Sequence, residues 1–280
     1  MYKFAIIGAA GYVAPRHMQA IRDIGGDIVA VLDPCDSVGV LDKFSMDCLY
    51  FREPERFDRW LSKNHVDYVV VCSPNYLHDS HCLMAMRSGA DVICEKPVVL
   101  NERNLDNLLE WELKTSKKVN VILQCRLHHA AIGAKEKYRS RDRFSSITVE
   151  YNTPRGPWYR YSWKGDIEKS GGLITNIGIH LFDLCVWIFG AHQKEYKIEI
   201  SNHNQSIGYV HLENALVNWD LSTLNAPSKR IFFIDEFSFD LTSGFTELHS
   251  ESYRKIISGE GFSLEDARPS IRLVEALRNA

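Results

Sequence analysis

A chain of 280 residues with a formal net charge of -3 is long enough for one large domain or two modest ones and gives no electrostatic reason to expect nucleic acid. Its apolar runs fall far short of the roughly 20 residues a membrane span needs, and it opens directly on a strand with no leader pattern, so a cytoplasmic protein without a membrane partner is expected. The seven cysteines are odd in number and form no CxxC pair; Cys72, Cys94 and Cys125 lie in or beside apolar strands and read as small buried hydrophobes in a reducing compartment.

Residues 3–33 read as strand, turn, helix, strand. KFAIIG ends at Gly8, a small-residue turn runs through Gly11, a helix covers roughly 14–24, and DIVAVLD closes on Asp33. Glycines at the turn let the backbone approach a pyrophosphate at a helix N-terminus, and an acidic residue about 20 positions on accepts hydrogen bonds from a ribose. Asp33 would repel a 2′-phosphate, which favours NAD over NADP. The spelling is GxxGxxA rather than GxGxxG, so the flanking strands and Asp33 carry the argument; a bare αβ turn or another phosphate ligand is the alternative.

Residues 35–52 read as a connection with one short helix and 54–64 as a helix. The run 67–72 is an apolar strand of the kind a sheet covered on both faces contains. The loop Ser73-Pro74-Asn75-Tyr76, a helix over 78–88, a strand over 90–94 ending in Glu95-Lys96-Pro97, a charged helix over 102–116 and a strand over 118–124 follow. The alternation predicts a doubly wound α/β domain over residues 1–124, a Rossmann-type parallel sheet. Gly8, Asp33, Ser73-Pro74-Asn75, Glu95-Lys96 and Gln124 all fall just past the carboxyl ends of strands, where that fold binds ligands.

Beyond Arg126 the texture changes. A helix is expected over 130–139, a strand over 144–151, an aromatic and glycine-rich segment over 152–166, and one apolar helix over 174–189 stopped by Gly190. Short strands follow at 195–201, 206–213, 215–220, 229–234 and 237–241. Two helices close the chain, over 245–258 and from 264 onward, the second capped by Ser263 with Asp266. This predicts a second α/β domain over residues 125–280 with a large open, mainly antiparallel sheet that binds substrate and supports a homo-oligomer, the C-terminal helix being able to pack back on the first domain.

Chemistry-bearing residues stand out at few places. Lys96, at a strand's carboxyl end and before a proline, would lie beside a nicotinamide and exchange a proton with a substrate hydroxyl, against the plainer reading of a solvated lysine. Asn176, His180 and Asp183 recur at helical spacing and are expected on one helix side, with Asp183 holding the His180 tautomer; a satisfied core histidine is the alternative. His78 is placed to contact the cofactor ribose, while His81 packs. Arg155, Arg160 and Lys164 among aromatics, Tyr159 included, read either as a pinned surface loop or as a grip on an anionic sugar. No metal is expected: His128 and His129 are adjacent and so point different ways, and no spaced ligand cluster occurs.

The turn GAAGYVAPRH with Asp33, Ser73-Pro74-Asn75 with His78, Glu95-Lys96-Pro97, and Gly171-Gly172 leading through Asn176 to His180 and Asp183 resemble the glucose–fructose oxidoreductase / inositol dehydrogenase family over essentially the whole chain. The resemblance implies a Rossmann domain, a C-terminal α/β domain, and hydride transfer between a sugar-like carbon and NAD. It implies cofactor contacts from Gly8, Gly11, Tyr12, Val13, Asp33, Ser37, Ser73, Pro74, Asn75, His78, Glu95, Lys96 and Gln124. Lys96 and His180 become the catalytic pair, and Lys96, Arg155, Tyr159, Arg160, Asn176 and His180 the substrate contacts. Asn176 departs from the aspartate of many members, which shifts proton transfer onto Lys96 or His180. The segments RGPWYRYSWKGD, TNIGIH and SGFTELHSESY point within the family to members acting on nucleotide sugars. The implied reaction is oxidation of the 3-hydroxyl of UDP-N-acetylglucosaminuronate for surface polysaccharides, with 2-oxoglutarate as an oxidant for bound NADH and a tetramer as the favoured assembly. UDP-GlcNAc, another sugar or an inositol is the alternative substrate, and a non-catalytic NAD-binding regulator the alternative of another class.

Overall fold

The computed structural model describes residues 1–138, 143–244 and 247–280. The chain divides into two compact units. Unit 1 comprises 1–99, 103–122 and 249–266; unit 2 comprises 100–102, 123–248 and 267–280.

Unit 1 is built on a parallel sheet of β1 (Lys3–Ile7), β2 (Asp27–Leu32), β3 (Leu49–Phe51), β4 (Tyr68–Val71), β5 (Asp91–Cys94) and β6 (Val119–Val121) in the order β3-β2-β1-β4-β5-β6. The helices between them are α1 (Ala14–Asp23), α2 (Pro54–Leu61), α3 (His78–Arg87) and α4 (Glu102–Thr115). The order reverses between β1 and β4, and that switch point opens the crevice in which such sheets bind ligands. Continuous burial along β1 and β4 reflects their uninterrupted apolar runs. β3 lies in the stretch expected to be only a connection; three residues give too short an alternation to be seen in the sequence.

Unit 2 contains α5 (His129–Tyr138), β7 (Ser145–Asn152), the short helices α6 (Trp158–Tyr161), α7 (Ile167–Ser170) and α8 (Gly172–Asn176), then α9 (Ile179–Phe189). The strands β8 (His192–Ser201), β9 (Gln205–Leu212), β10 (Ala215–Ser222), β11 (Lys229–Ile234) and β12 (Phe237–Asp240) complete it. The sheet order is β12-β11-β7-β10-β9-β8, antiparallel except for the parallel pair β7–β10. Strict alternation of burial along β9 marks one covered face. α9 lies on it, with the Phe182 ring edge-on to Trp219 at 5.2 Å between centroids. Gly208 makes room for that indole, since a Cβ there would stand 2.7 Å from the ring.

Two elements differ from expectation. The single helix over 174–189 is two, α8 and α9, with the bend at Ile177–Gly178. A Cβ at Gly178 would meet the Ile174 carbonyl, the Leu221 methyl and the Phe182 ring, so the apolar periodicity that predicts one rod misses a close approach. The two last helices are α10 (Leu248–Ile257) and α11 (Leu264–Arg278), and Tyr253 and Ile256 of α10 belong to the core of unit 1 with Phe4, Ile6, Met18 and Val70. The expected helix ends at Arg139 and Phe245 lie outside the described residues. Ser263 and Asp266 cap α11 reciprocally: the Asp266 N–H donates to Ser263 Oγ (3.2 Å) and the Ser263 N–H to Asp266 Oδ2 (2.8 Å). Among the described residues no single helix is long and apolar enough to cross a membrane.

Candidate active site

The turn after β1 is shaped for close approach. Gly8 has φ +91°, and a Cβ on it would lie 2.6 Å from the Cys72 carbonyl carbon and oxygen and 2.7 Å from the Ser73 nitrogen. Only glycine fits between β1 and the end of β4 in this conformation. The Gly11 N–H donates to Gly8 O (3.0 Å), while the amides of Tyr12 and Val13 have no intramolecular partner among the described residues and are left for an anion at the start of α1. Asp33, buried at the end of β2, accepts from the Ala10 N–H (2.8 Å) and the Cys35 N–H (2.9 Å), so its carboxylate both closes the turn and carries charge where a ribose would sit. Ser37 is exposed beyond it. This turn, with its unfilled amides and buried carboxylate, fits a dinucleotide.

At the end of β4, Ser73 and Asn75 are buried and Pro74 half-buried. Ser73 Oγ lies 2.8 Å from His81 Nδ1, so His81 fastens this loop rather than merely packing; burial pushes its pKa down to about 4. His78 is buried with Nε2 2.7 Å from Ser73 O and Nδ1 2.7 Å from Pro97 O. It lies between two strand-end loops; a neutral imidazole has one N–H and donates to one of these carbonyls at a time, and both ring nitrogens face the carbonyls rather than a ribose. Burial holds its pKa below the usual value although both carbonyls favour the protonated form.

Glu95 also departs from its expected role. Its carboxylate is buried and turned inward, with Oε1 at 3.0 Å from His17 Nε2 and 3.2 Å from His249 Nε2, while Oε2 accepts from the Lys96 N–H (3.2 Å). The oxygens expected on the cofactor are engaged inside unit 1, and its pKa is held well below the carboxylate range by the two imidazoles, against burial. Lys96 itself is half-buried at the end of β5. His17 and His249 were not legible as functional: neither belongs to a local motif, and their shared partner lies far away in sequence.

In unit 2, a cavity of about 1160 Å³ is lined by Arg155, Arg160, Lys164 and Arg278 together with Tyr159 and backbone of the Gly171–Gly172 turn. Tyr159 is buried, and its hydroxyl accepts from Asn176 Nδ2 at 2.5 Å, which joins the aromatic segment to α8. Arg155 and Arg160 are exposed. Burial raises the Tyr159 pKa, keeping the phenol neutral.

The bend between α8 and α9 separates Asn176 from His180 and Asp183, which therefore do not share one helix. Nor does Asp183 orient His180. Both its oxygens accept from Arg126, from Nε at 2.9 Å and Nη2 at 2.7 Å, in a buried bidentate pair that the sequence reading missed. His180 is half-buried with Nδ1 3.5 Å from Cys125 Sγ. Gln124, expected on the cofactor, is buried in unit 2 with Oε1 lacking a hydrogen-bond partner among the described residues. His128 and His129, expected to diverge, stack at 4.5 Å, because His128 is turned by the Ala130 N–H on its Nδ1 and Ser243 O on its Nε2.

Residues 2–123 match the NAD-binding Rossmann fold of the Gfo/Idh/MocA oxidoreductases, and residues 144–210 match the family's C-terminal alpha/beta domain. The WlbA (WbpB) dehydrogenase of Thermus thermophilus, solved with NAD and alpha-ketoglutarate, is 40% identical with a TM-score of 0.97, the match covering 99% of this chain and 95% of that one. The chain belongs to the Gfo/Idh/MocA oxidoreductase family. Its cofactor is NAD. A second Thermus thermophilus WlbA (WbpB) structure, with NAD and UDP-GlcNAcA, matches at 39% identity and TM-score 0.96 over the same shares of the two chains. A curated relative, the 2,7-anhydro-N-acetylneuraminate hydratase of Mediterraneibacter gnavus, is 27% identical over 69% of this chain and 50% of its own length. The chain thus spans about half the length of the first curated relatives it matches.

Proposed function

We propose that the chain is an NAD-dependent nucleotide-sugar dehydrogenase that oxidises the 3-hydroxyl of UDP-N-acetylglucosaminuronate. The observation that carries this reading is the cationic cavity of unit 2. Its volume suits a nucleoside-diphosphate sugar, and Arg155, Arg160, Lys164 and Arg278 match a ligand bearing a diphosphate and a uronate. The WlbA (WbpB) relative at 39% identity was captured with UDP-GlcNAcA, which supports the same substrate class.

NAD, when bound, supplies the hydride acceptor. The chain's own residues bind, orient and move the proton. Tyr159 and Asn176, joined by their hydrogen bond, form a fixed polar edge for sugar hydroxyls. Asn176 carries no charge, so the hydroxyl proton falls to Lys96 in unit 1 or His180 in unit 2, each half-buried as a proton-accepting group should be. The arginine-bearing segment holds the anionic end of the substrate.

The deciding experiment follows NADH formation in a single turnover with UDP-GlcNAcA and with UDP-GlcNAc. UDP-GlcNAcA should be oxidised much faster; equal rates, or turnover of neither, reject the substrate assignment. Lys96→Met and His180→Asn, followed against pH, separate the two proton acceptors, and near-normal hydride transfer in Lys96→Met removes the lysine from the role. Reoxidation of bound NADH by 2-oxoglutarate is supported by the relative captured with alpha-ketoglutarate, and is tested by loss of the NADH signal on adding that acid. A homo-oligomer, a tetramer by preference, is supported by large apolar side chains left partly exposed on the unit 2 sheet, Phe233 at 37% and Ile200 at 41%, and light scattering tests it.

A further inference from the structure

Three side chains from distant stretches meet inside unit 1. His17 of α1 and His249 of α10 both reach Glu95 Oε1, at 3.0 and 3.2 Å, and the other carboxylate oxygen takes the Lys96 N–H. The Tyr253 hydroxyl stands 2.9 Å from His17 Nδ1. All four side chains are buried. The titratable or charged groups whose fields reach this cluster are Arg16, Cys72, Cys94 and His78; Lys96 follows Glu95 in the chain.

The hydrogen bonds fix where the protons are. A carboxylate oxygen can only accept, so both imidazoles donate through Nε2–H. His17 Nδ1 is then an acceptor for the Tyr253 O–H. His249 Nδ1 has no partner among the described residues, and in this pattern it is a bare lone pair rather than a stranded N–H. An unfilled buried acceptor is the less costly of the two. The ligand atoms of His17, Glu95 and His249 also lie within 4.8 Å of one another, a spacing that suits a metal ion. A metal would occupy both Nε2 lone pairs and force the proton of His249 onto Nδ1, where nothing receives it. The geometry therefore favours two neutral imidazoles on one carboxylate.

We propose that the His17–Glu95–His249 array positions Lys96: it grips the lysine's main-chain N–H and keeps a negative charge at the root of its side chain. The three are positioning residues, and the proposal rests on Lys96 serving the proton transfer read above. The two imidazoles make the carboxylate's placement rigid, since each comes from a different helix packed on the sheet.

The test uses the full chain loaded with NAD and UDP-GlcNAcA. Glu95→Gln should slow single-turnover hydride transfer by about 10- to 100-fold while KM for the sugar stays within about threefold. The rate should also begin to rise at lower pH, because an anion beside an amine favours its protonated form and the amide does not. His249→Leu should slow transfer less. Ser250→Ala removes another anchor of the same helix, the 2.6 Å bond from Ser250 Oγ to Asp23 Oδ2, and should keep both the rate and the pH profile. An unchanged rate and profile in Glu95→Gln overturns the proposal, as does one bound metal ion per chain by elemental analysis.

Two measurements stand apart from turnover and from the folding of any one variant. Nitrogen-15 spectra of the wild-type histidines at neutral pH should show both imidazoles carrying their proton on Nε2; an Nδ1–H tautomer at either overturns the array. Acylation of Lys96, mapped by mass spectrometry at neutral pH, should be faster in Glu95→Gln than in wild type, and equal labelling counts against the proposal. Should no nucleotide sugar reduce NAD in the wild type, the substrate reading fails while these two readouts still decide the array.

Discussion

At the scale of single residues, the placement of Gly8 in a tight turn and of Asp33 at a strand end was legible because it depends on local spacing: a turn, a helix start and the next strand end. Gly8→Ala is expected to abolish NAD binding in an equilibrium titration and to lower the unfolding midpoint. The new methyl would press on backbone of Cys72 and Ser73, which cannot swing aside, and φ +91° is strained for alanine. Glu95 and His78 show the opposite case. Their neighbours in sequence placed them correctly at strand ends, yet their side chains turn inward to partners that no local pattern names. His17 and His249 were invisible for the same reason, as buried polar groups whose partners lie far away in sequence. Arg126 and Asp183 were likewise missed as a pair, since an arginine after a strand reads as solvated until its bidentate partner is seen. Breaking that pair from one side, with Asp183→Asn, leaves a buried guanidinium half-satisfied. About 3 kcal/mol of stability should be lost, read by urea denaturation.

At the scale of elements, periodicity identified all the parallel strands but β3 and all five strands of β8 to β12, because each carries its own run of apolar or alternating residues. It failed where geometry rather than hydrophobicity sets the break. From residue 174 to 189 the apolar pattern is continuous, and only the close approach of Gly178 to Ile174, Leu221 and Phe182 divides α8 from α9. Gly178→Ala is therefore expected to destabilise the protein by about 2 kcal/mol, through overpacking rather than through helix propensity, which alanine would improve. It should also slow turnover, since Asn176 and His180 flank the altered bend. Thermal melts and single-turnover rates measured on the same preparation check both effects, and a variant more stable than wild type would contradict the account. The Ser263–Asp266 cap was read correctly as the start of α11, a signal that is local by nature.

At the scale of the whole chain, the texture change near residue 125 falls close to the break between the units, whereas the return of residues 249–266 to unit 1 was not readable from composition. Helix α10 is amphipathic, but which core its buried face completes depends on contacts with β1 and α1 rather than on its own pattern. One property of the molecule follows from how many histidines unit 1 buries without charge. His17, His78 and His81 all have pKa values lowered by burial, and Glu95 is held well below the carboxylate range. In each histidine the unfolded chain binds a proton at higher pH than the folded one does. Their stabilisation is therefore complete above the unfolded value near 6.5 and is lost as pH falls toward the folded value, about 4 for His81. Glu95 adds its own loss below the ordinary carboxylate value of 4.5, so both kinds of group weaken the fold in acid. The midpoint of thermal unfolding should fall steadily from pH 7 downward, with His81 alone accounting for about 3 kcal/mol by the time it is protonated. His81→Phe should flatten the upper part of that curve, at the cost of the Ser73 hydrogen bond, and a variant whose acid sensitivity matches the wild type would show that this imidazole is not neutral in the folded protein.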